Sequence, residues 1–390
     1  MKILSVVGAR PNFMKIAPFI RAVKAYNVEH GNVIQHLLVH TGQHYDVRMS
    51  KAFFSELGIP DPDINLEIGS GSHAEQLGLT MIAFEKVLLT EKPDWVVVVG
   101  DVNATLSCSV AAKRLNIKVC HIEAGLRSGD MSMPEEINRL VTDRISDLLL
   151  TPDEMSSRNL LKEGTHPAKI RFTGNIMIDT LDHCMPKAGR LSPQEILQSN
   201  IHGNISVPDL FSSTSAVPDY ALLTLHRPSN VDTPGTLEGI TNFLVSTVAA
   251  RMPLIWPVHP RTRKQLESFG LMERLVANLN IILLEPIGYL EMLRLNMSAR
   301  VMITDSGGLQ EECCVLGTPC ITLRSNTERP VTLMEHGGVS LLAGNEPAAM
   351  EEAWAVALSM GRKAVRPELW DGGTAGRCVE EIMKSLKEKV

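Results

Sequence analysis

Aromatic residues are scarce in this chain: phenylalanine, tryptophan and tyrosine together make up 4% of its 390 residues. Proteins that grip single-stranded nucleic acid rely on aromatic platforms for the bases, so that class is disfavoured. A basic excess is lacking too. Asp and Glu number 44 against 38 Lys and Arg, giving a net charge of −6 and a pI of about 6.1. This excludes the positive face that duplex nucleic acid or an anionic membrane surface requires. No apolar run approaches the ~20 residues of a membrane span. The apolar stretch at Lys2–Val7 is short and meets Arg10 almost at once, so it reads as a first strand, not a signal peptide. There is no Cys-x-x-Cys. The seven cysteines, at 108, 120, 184, 313, 314, 320 and 378, are scattered and odd in number, which excludes a disulfide framework or a cysteine zinc site. His and Glu spacings lack a matching third ligand, so no metal is expected. These absences predict a soluble cytoplasmic protein with no nucleic-acid and no membrane partner.

What is present is a regular alternation of short apolar runs with longer amphipathic segments. Strands are predicted at 2–7, 34–40, 95–100, 117–122, 147–150 and 169–172, with helices such as 74–90, 103–115 and 135–145 between them. The run Trp95-Val96-Val97-Val98-Val99 has no polar alternation, as expected of a central parallel strand buried on both faces. The rhythm breaks over 187–219, where serine and proline accumulate, and restarts with strands at 221–225, 254–257, 281–284, 301–304, 320–323 and 339–341. This predicts an α/β chain of two doubly wound, Rossmann-like domains. The first spans 1–186 and is completed by a C-terminal helix at 371–390. A connection covers 187–219, and the second domain covers 220–370. Ligands of open α/β sheets sit at the carboxyl ends of strands, so the expected site is a cleft between the two domains.

The most informative stretch is Asp305-Ser306-Gly307-Gly308, between a predicted strand and a predicted helix. Free N–H groups at a helix start bind phosphate, and glycines let a diphosphate approach the backbone; a plain capped helix is the bland alternative. Arg324 and Arg329 follow one strand later and favour the anion. Other polar residues collect at strand ends: Arg10, Asn12 and Lys15; His40, Gln43 and His44; Asp101 and Asn103; His121, Glu123 and Arg127; His226 and Arg227; His259 and Arg261. Glu135, Glu136 and Arg139 open a nearby helix. Cations and anion-binding backbone together with three carboxylates suit a phosphorylated ligand whose reacting end needs acid and base. Each has a structural alternative: Glu135 with Arg139 as a helix ion pair, Asp101 and Asn103 as turn residues, His121 as a core histidine. The Gly69-Ser70-Gly71-Ser72-His73-Ala74 match to a dinucleotide pattern lies outside the first βα turn and reads as a flexible loop, so no nicotinamide cofactor is expected.

Taken together, these motifs resemble the non-hydrolysing UDP-N-acetylglucosamine 2-epimerases. The resemblance is carried by Gly8-Ala9-Arg10-Pro11 with Lys15, Thr41-Gly42-Gln43-His44, Gly100-Asp101, His121-Ile122-Glu123-Ala124-Gly125-Leu126-Arg127, Pro134-Glu135-Glu136-Ile137-Asn138-Arg139, His226-Arg227, Asp305-Ser306-Gly307-Gly308 through Glu312, and Glu328-Arg329-Pro330. It implies two Rossmann-like domains in a glycosyltransferase-B arrangement, a homodimer, and interconversion of UDP-GlcNAc with UDP-ManNAc, a precursor for cell-surface polysaccharide, with no cofactor and no metal. It further implies that Arg10, Lys15, His226, Ser306, Gly307, Gly308, Glu312 and Arg329 hold UDP. Asp101, Glu123, Glu135, Arg139 and His226 would surround the sugar. Gln43, His44, Arg227, His259 and Tyr289 complete the implied substrate-binding set.

The chemistry fits that division. The C2 proton has no adjacent carbonyl, so direct abstraction would need an implausibly strong base. Breaking the anomeric C–O bond first puts positive charge at C1 and acidifies C2–H. UDP then waits as a bound leaving group and re-adds after C2 is protonated on the other face. The alternatives left open are a 2-epimerase of a UDP-diacetamido-uronic acid, a hydrolysing epimerase releasing UDP and free ManNAc, a glycosyltransferase of the same architecture, and a non-catalytic UDP-GlcNAc sensor.

Overall fold

The computed structural model describes residues 1–42, 57–202 and 219–387. They fall into two compact units, Met1–Asp182 with Pro367–Val390, and His183–Arg366.

The first unit is built on a parallel sheet of β1 (Lys2–Val7), β2 (Gln35–His40), β3 (Ile64–Asn65), β4 (Trp95–Val99), β5 (Lys118–Ile122), β6 (Leu148–Thr151) and β7 (Ile170–Phe172), in the order 3-2-1-4-5-6-7. Every residue of β4 is buried, because helices cover both faces of a central parallel strand. Val6, Val96, Val98 and Val119 pack with Phe84 and Leu88 from the helix His73–Glu91. Ile64–Asn65, weakly signalled in the sequence, adds an edge strand. The chain returns to this unit at its end: Asp179 accepts the N–H groups of Thr374 (3.1 Å) and Ala375 (2.7 Å), so its carboxylate caps the helix Thr374–Lys387. The loop at Gly69–Ser72 ends in a regular cap. Ser72 accepts from Glu75 N–H while Glu75 accepts from Ser72 N–H, so this segment is a helix start.

The second unit carries β8 (Ala221–Thr224), β9 (Leu254–Pro257), β10 (Ile281–Leu284), β11 (Val301–Thr304), β12 (Cys320–Thr322) and β13 (Ser340–Leu342), all parallel, in the order 10-9-8-11-12-13. Within the stretch read as a connection, a short helix forms at Pro193–Asn200. Its Ile196 and Leu197 join the core of this unit beside Leu222 and Leu284. Two doubly wound parallel sheets are thus the observed fold class. In each sheet the strand order reverses beside the first strand, between β1 and β4 and between β8 and β11. These are the topological switch points where α/β sheets hold ligands. No described helix is long and apolar enough to cross a membrane.

One partly buried group is expected to make the first unit acid-sensitive. His36 of β2 meets Ser5 of β1 through Nε2 and Oγ at 2.7 Å. Burial lowers its pKa to about 4, with Asp63 opposing and Lys24 assisting. A histidine whose folded pKa lies below its unfolded value contributes its stability in full above about pH 6.5 and loses it as pH falls towards 4. The whole shift corresponds to roughly 3 kcal/mol. Urea midpoints measured from pH 7.5 down to 4.5 are expected to fall, and the fall to be smaller in His36→Gln. Equal pH slopes in the two proteins would contradict this.

Candidate active site

At the switch point of the first sheet, three strand ends bring their polar residues together. After β1, Asn12 accepts the N–H groups of Gly8 and Ala9 at 3.2 Å each, and its Nδ2 donates to Val99 O at 2.7 Å. This ties the start of the helix Arg10–His30 to the end of β4. One turn later, buried Lys15 pairs with Glu123, which follows β5 and is itself 4% exposed. Glu123 sits at φ 72°, a left-handed conformation that costs a non-glycine residue on the order of 1–3 kcal/mol and clusters at functional sites. It is held there as its N–H and that of Ala124 both donate to Leu150 O at 3.0 Å. Gly100, at φ 69°, lies against this pair. A Cβ there would stand 3.1 Å from Lys15 Nζ and 3.3 Å from Glu123 Oε2.

Asp101 is held from the helix Pro134–Ile145. Arg139 donates to Asp101 Oδ2 through Nε (3.0 Å) and Nη2 (2.8 Å), and Asn138 donates to Asp101 O at 2.8 Å. The other arm of Arg139 pairs with Glu136, not with Glu135. Glu136 also accepts from Ser128 N–H, Ser128 Oγ–H and Gly129 N–H at 3.0–3.1 Å, so it fastens the preceding loop. Glu135 is half-buried and has no partner among the described residues. His121 is wholly buried, with Nδ1 2.6 Å from Asp143 Oδ1 and Nε2 2.8 Å from Gly100 O. Its alternative as a core histidine is the arrangement found. Burial opposes the charge of Asp143, but His121 and Arg127 outweigh it and hold that carboxyl below its ordinary range.

In the second unit, β8 and β11 end side by side. Asp305 turns inward. Its carboxylate accepts the N–H groups of His226 (3.0 Å) and Arg227 (2.8 Å), and Arg227 Nε donates to Asp305 O at 2.9 Å. The His226-Arg227 pair therefore has a structural tie as well as an exposed imidazole. His226 and His259 approach with ring centroids 5.8 Å apart. Ser306 stands at the N-cap position of the helix Gly307–Leu316 without a side-chain capping bond, and the first N–H groups of a helix have no partner within it. The two glycines differ in purpose. A Cβ on Gly307 would come within 2.6 Å of Glu328 Oε1, whereas one on Gly308 would meet nothing within 4 Å. Gly307 makes room for a buried carboxylate, and only Gly308 leaves the open approach expected of both. Beneath lies a cluster of buried charges. Arg324 pairs with Glu328 (2.8 Å), and Arg329 Nε with Glu311 Oε1 (2.5 Å). Glu312 is 3% exposed and its Oε2 has no hydrogen-bond partner among the described residues. Burial pushes its pKa up to about 8, with the nearby Tyr289 hydroxyl opposing the shift and Glu311 reinforcing it. Burial, then the charge of Glu312, also raises the Tyr289 phenol.

The structure thus brings Asp101, Glu123, Lys15 and Arg139 together in the first unit. It brings His226, Arg227, His259, Ser306 and Gly308 to strand ends of the second, with Glu312, Tyr289 and Arg329 in that same unit. Lys15, expected on UDP, is engaged with Glu123. Arg10 opens its helix, while its side chain, and Gln43 and His44 entirely, lie outside the described residues. From sequence, Glu136 is only a neighbour of Glu135 at a helix start and Glu328 only part of a motif, neither with a role of its own. Glu136 stands i, i+3 from Arg139 on the buried helix face with Asp143, and that spacing was the available signal. Among the described residues no cluster of three or more His, Cys, Asp or Glu side chains could hold a metal ion.

The family model described as UDP-N-acetylglucosamine 2-epimerase matches residues 27–383. The UDP-N-acetylglucosamine 2-epimerase of Methanocaldococcus jannaschii is 41% identical over 384 residues, covering 98% of this chain and 99% of its own. The UDP-2,3-diacetamido-2,3-dideoxy-D-glucuronate 2-epimerase of Pseudomonas aeruginosa is 37% identical over 390 residues, covering 99% and 100%. The crystal structure of the M. jannaschii enzyme in complex with UDP-GlcNAc and UDP superposes with a TM-score of 0.85 at 40% identity, over 98% of this chain and all of that one. On the match of its own motifs, of the family model and of whole-length relatives, this chain belongs to the UDP-N-acetylglucosamine 2-epimerase family.

Proposed function

We propose that this protein interconverts UDP-GlcNAc and UDP-ManNAc without hydrolysis, by elimination and re-addition of UDP. The observation that carries the reading is the pairing of two held carboxylates, Asp101 and Glu123, with Arg139 and Lys15 at the switch point of the first sheet. An acid and a base at fixed positions suit removal of the C2 proton on one face of the sugar and its return on the other. In the second unit, the N–H groups of Gly307 and Gly308, with Ser306, Arg227 and His226, suit the diphosphate; the Ser306 N–H itself donates to Thr304 Oγ1 at 3.0 Å. Arg10 is assigned to the same UDP-binding set. Glu312, with an unpartnered oxygen and a pKa of about 8, suits a hydroxyl-rich partner that gives and takes hydrogen bonds. Glu135, half-buried beside Asp101's helix partner, is placed at the sugar.

On this reading C1–O cleavage comes first, with the electron pair leaving on the diphosphate. The C2 proton is then lost to a carboxylate, giving a glycal. Protonation from the opposite face and re-addition of UDP complete the cycle. The relative named for UDP-GlcNAc is more similar than the one named for the diacetamido uronic acid, 41% against 37% identity, which supports the N-acetylhexosamine as substrate. Phosphorus NMR of a UDP-GlcNAc reaction is the test. Product that stays diphosphate-linked while UDP-ManNAc appears supports the proposal; stoichiometric free UDP would make the enzyme a hydrolysing one.

A homodimer is part of the proposal. Leu79, Ile82 and Leu89 on one face of the helix His73–Glu91 are 51–59% exposed, and Ile137 and Val141 on Pro134–Ile145 are 37–43% exposed. Such grouped apolar residues mark interaction surfaces. Light scattering is expected to give twice the chain mass, and Ile82→Lys to shift it towards the monomer; a monomeric wild type would remove the dimer. The proposed setting is the cytoplasm, consistent with seven free, buried cysteines, and the proposed use of the product is in polysaccharide synthesis.

A further inference from the structure

His226 is held by more than its place at a strand end. Its Nδ1 lies 2.8 Å from Asp305 Oδ1, its side chain is 43% exposed, and the Asp305 side chain is wholly buried. The same carboxylate accepts the N–H groups of His226 and Arg227 and the Nδ2 of Asn230 at 3.2 Å. Asn230 in turn donates to Leu323 O at 2.8 Å, which anchors the network to the end of β12. Burial works against the Asp305 charge, but His226 and these donors outweigh it, so the carboxyl stays below its ordinary range.

An ionised carboxylate only accepts. At this distance it requires the proton of the neutral His226 ring to sit on Nδ1, which leaves Nε2 as the variable atom, bare or protonated. Nε2 has no hydrogen-bond partner among the described residues. The neighbouring His259 is set the opposite way: its Nδ1 accepts from Arg261 N–H at 3.2 Å, which places its proton on Nε2. Two adjacent histidines are thereby fixed in different tautomers by different partners.

We infer that Asp305 is a positioning residue for the reaction: it fixes the tautomer and ring orientation of His226 so that Nε2 is the atom that meets the leaving diphosphate. This rests on the proposed epimerase function. As the C1–O bond breaks, its electron pair goes to the diphosphate oxygen and the Nε2 proton of the charged ring passes to that oxygen. When UDP re-adds, the oxygen returns the pair to C1 and the proton returns to Nε2, so the ring ends each cycle as it began. Arg227, whose N–H and Nε are tied to the same residue, is oriented by the same anchor.

The test is Asp305→Asn, which keeps the shape but offers an amide that can donate towards Nδ1 and so favour the other tautomer. Turnover of UDP-GlcNAc is expected to fall by about 10²–10⁴-fold, the usual contribution of a correctly positioned general acid. UDP affinity measured by calorimetry is expected to change by less than about tenfold. Nitrogen NMR of histidine-labelled protein, with His226→Gln to assign the signal, is expected to show Nδ1 protonated in the wild type and bare in Asp305→Asn. A bare Nδ1 in the wild type would overturn the inference, as would wild-type turnover in the variant. The wild-type spectrum, assigned with His226→Gln, requires neither substrate nor a folded Asp305→Asn. It therefore decides the tautomer even if Asp305→Asn does not fold, or if the chain acts on another sugar nucleotide.

Discussion

Glu123→Gln and Asp101→Asn are each expected to lower turnover of UDP-GlcNAc at least about 10²-fold, the scale of a lost general acid or base. Both substitutions keep side-chain size and remove only the charge and the proton-carrying oxygen. The geometry gives each an additional consequence. Glu123 is the partner of buried Lys15, so its neutralisation leaves an ammonium without its counter-charge. Asp101 is the acceptor of two Arg139 donors. A moderate loss of thermal stability is therefore expected with each, and more for Glu123. UDP binding, assigned to the second unit, is expected to change little. Kinetics and UDP calorimetry on the same preparations separate these effects. Near-normal turnover in both variants would remove the two carboxylates from the mechanism.

Arg329→Ala is expected to act on folding before it acts on ligand. From sequence this arginine is a candidate for UDP and nothing more. In the structure it is 4% exposed and pairs with Glu311, which is 1% exposed. Removing one partner of a buried ion pair leaves the other uncompensated, at a cost of about 3–5 kcal/mol. Replacing both with apolar residues of similar volume is often neutral, so Arg329→Met with Glu311→Leu is expected to recover most of the stability that Arg329→Ala loses. Denaturant unfolding of the variants tests this. If Arg329→Ala unfolded like the wild type but bound UDP ten or more times more weakly, the arginine would be a ligand contact with no structural share.

The two variants show where sequence was informative. Period and run length placed every strand of both sheets except the two-residue edge strand Ile64–Asn65, because a buried parallel strand has no polar face to dilute its apolar signal. The strand-end rule then located Asp101, Glu123, His226 and Ser306 as candidates, since a parallel sheet delivers every strand-to-helix loop to one edge. Partner choice was not legible. Lys15 and Glu123 are 108 residues apart, and only the register of β1, β4 and β5 brings them together. Glu135 and Glu136 are adjacent and chemically alike, and the helix rotation that sends Glu136 to Arg139 depends on packing. Gly307 illustrates the same limit: a glycine beside a helix start reads as room for phosphate, yet the space it vacates is taken by Glu328. Asp305 looked like part of an anion site and instead faces inward to organise β8.

The central claim is that C2 of the sugar loses and regains a proton while the nucleotide is retained. Incubation with UDP-GlcNAc in deuterated water, followed by proton NMR, addresses it directly. The account predicts deuterium at C2 in both UDP-GlcNAc and UDP-ManNAc as they approach equilibrium, with little free UDP. UDP-ManNAc that forms with its C2 proton fully retained, or a substrate that stays unchanged, would contradict it.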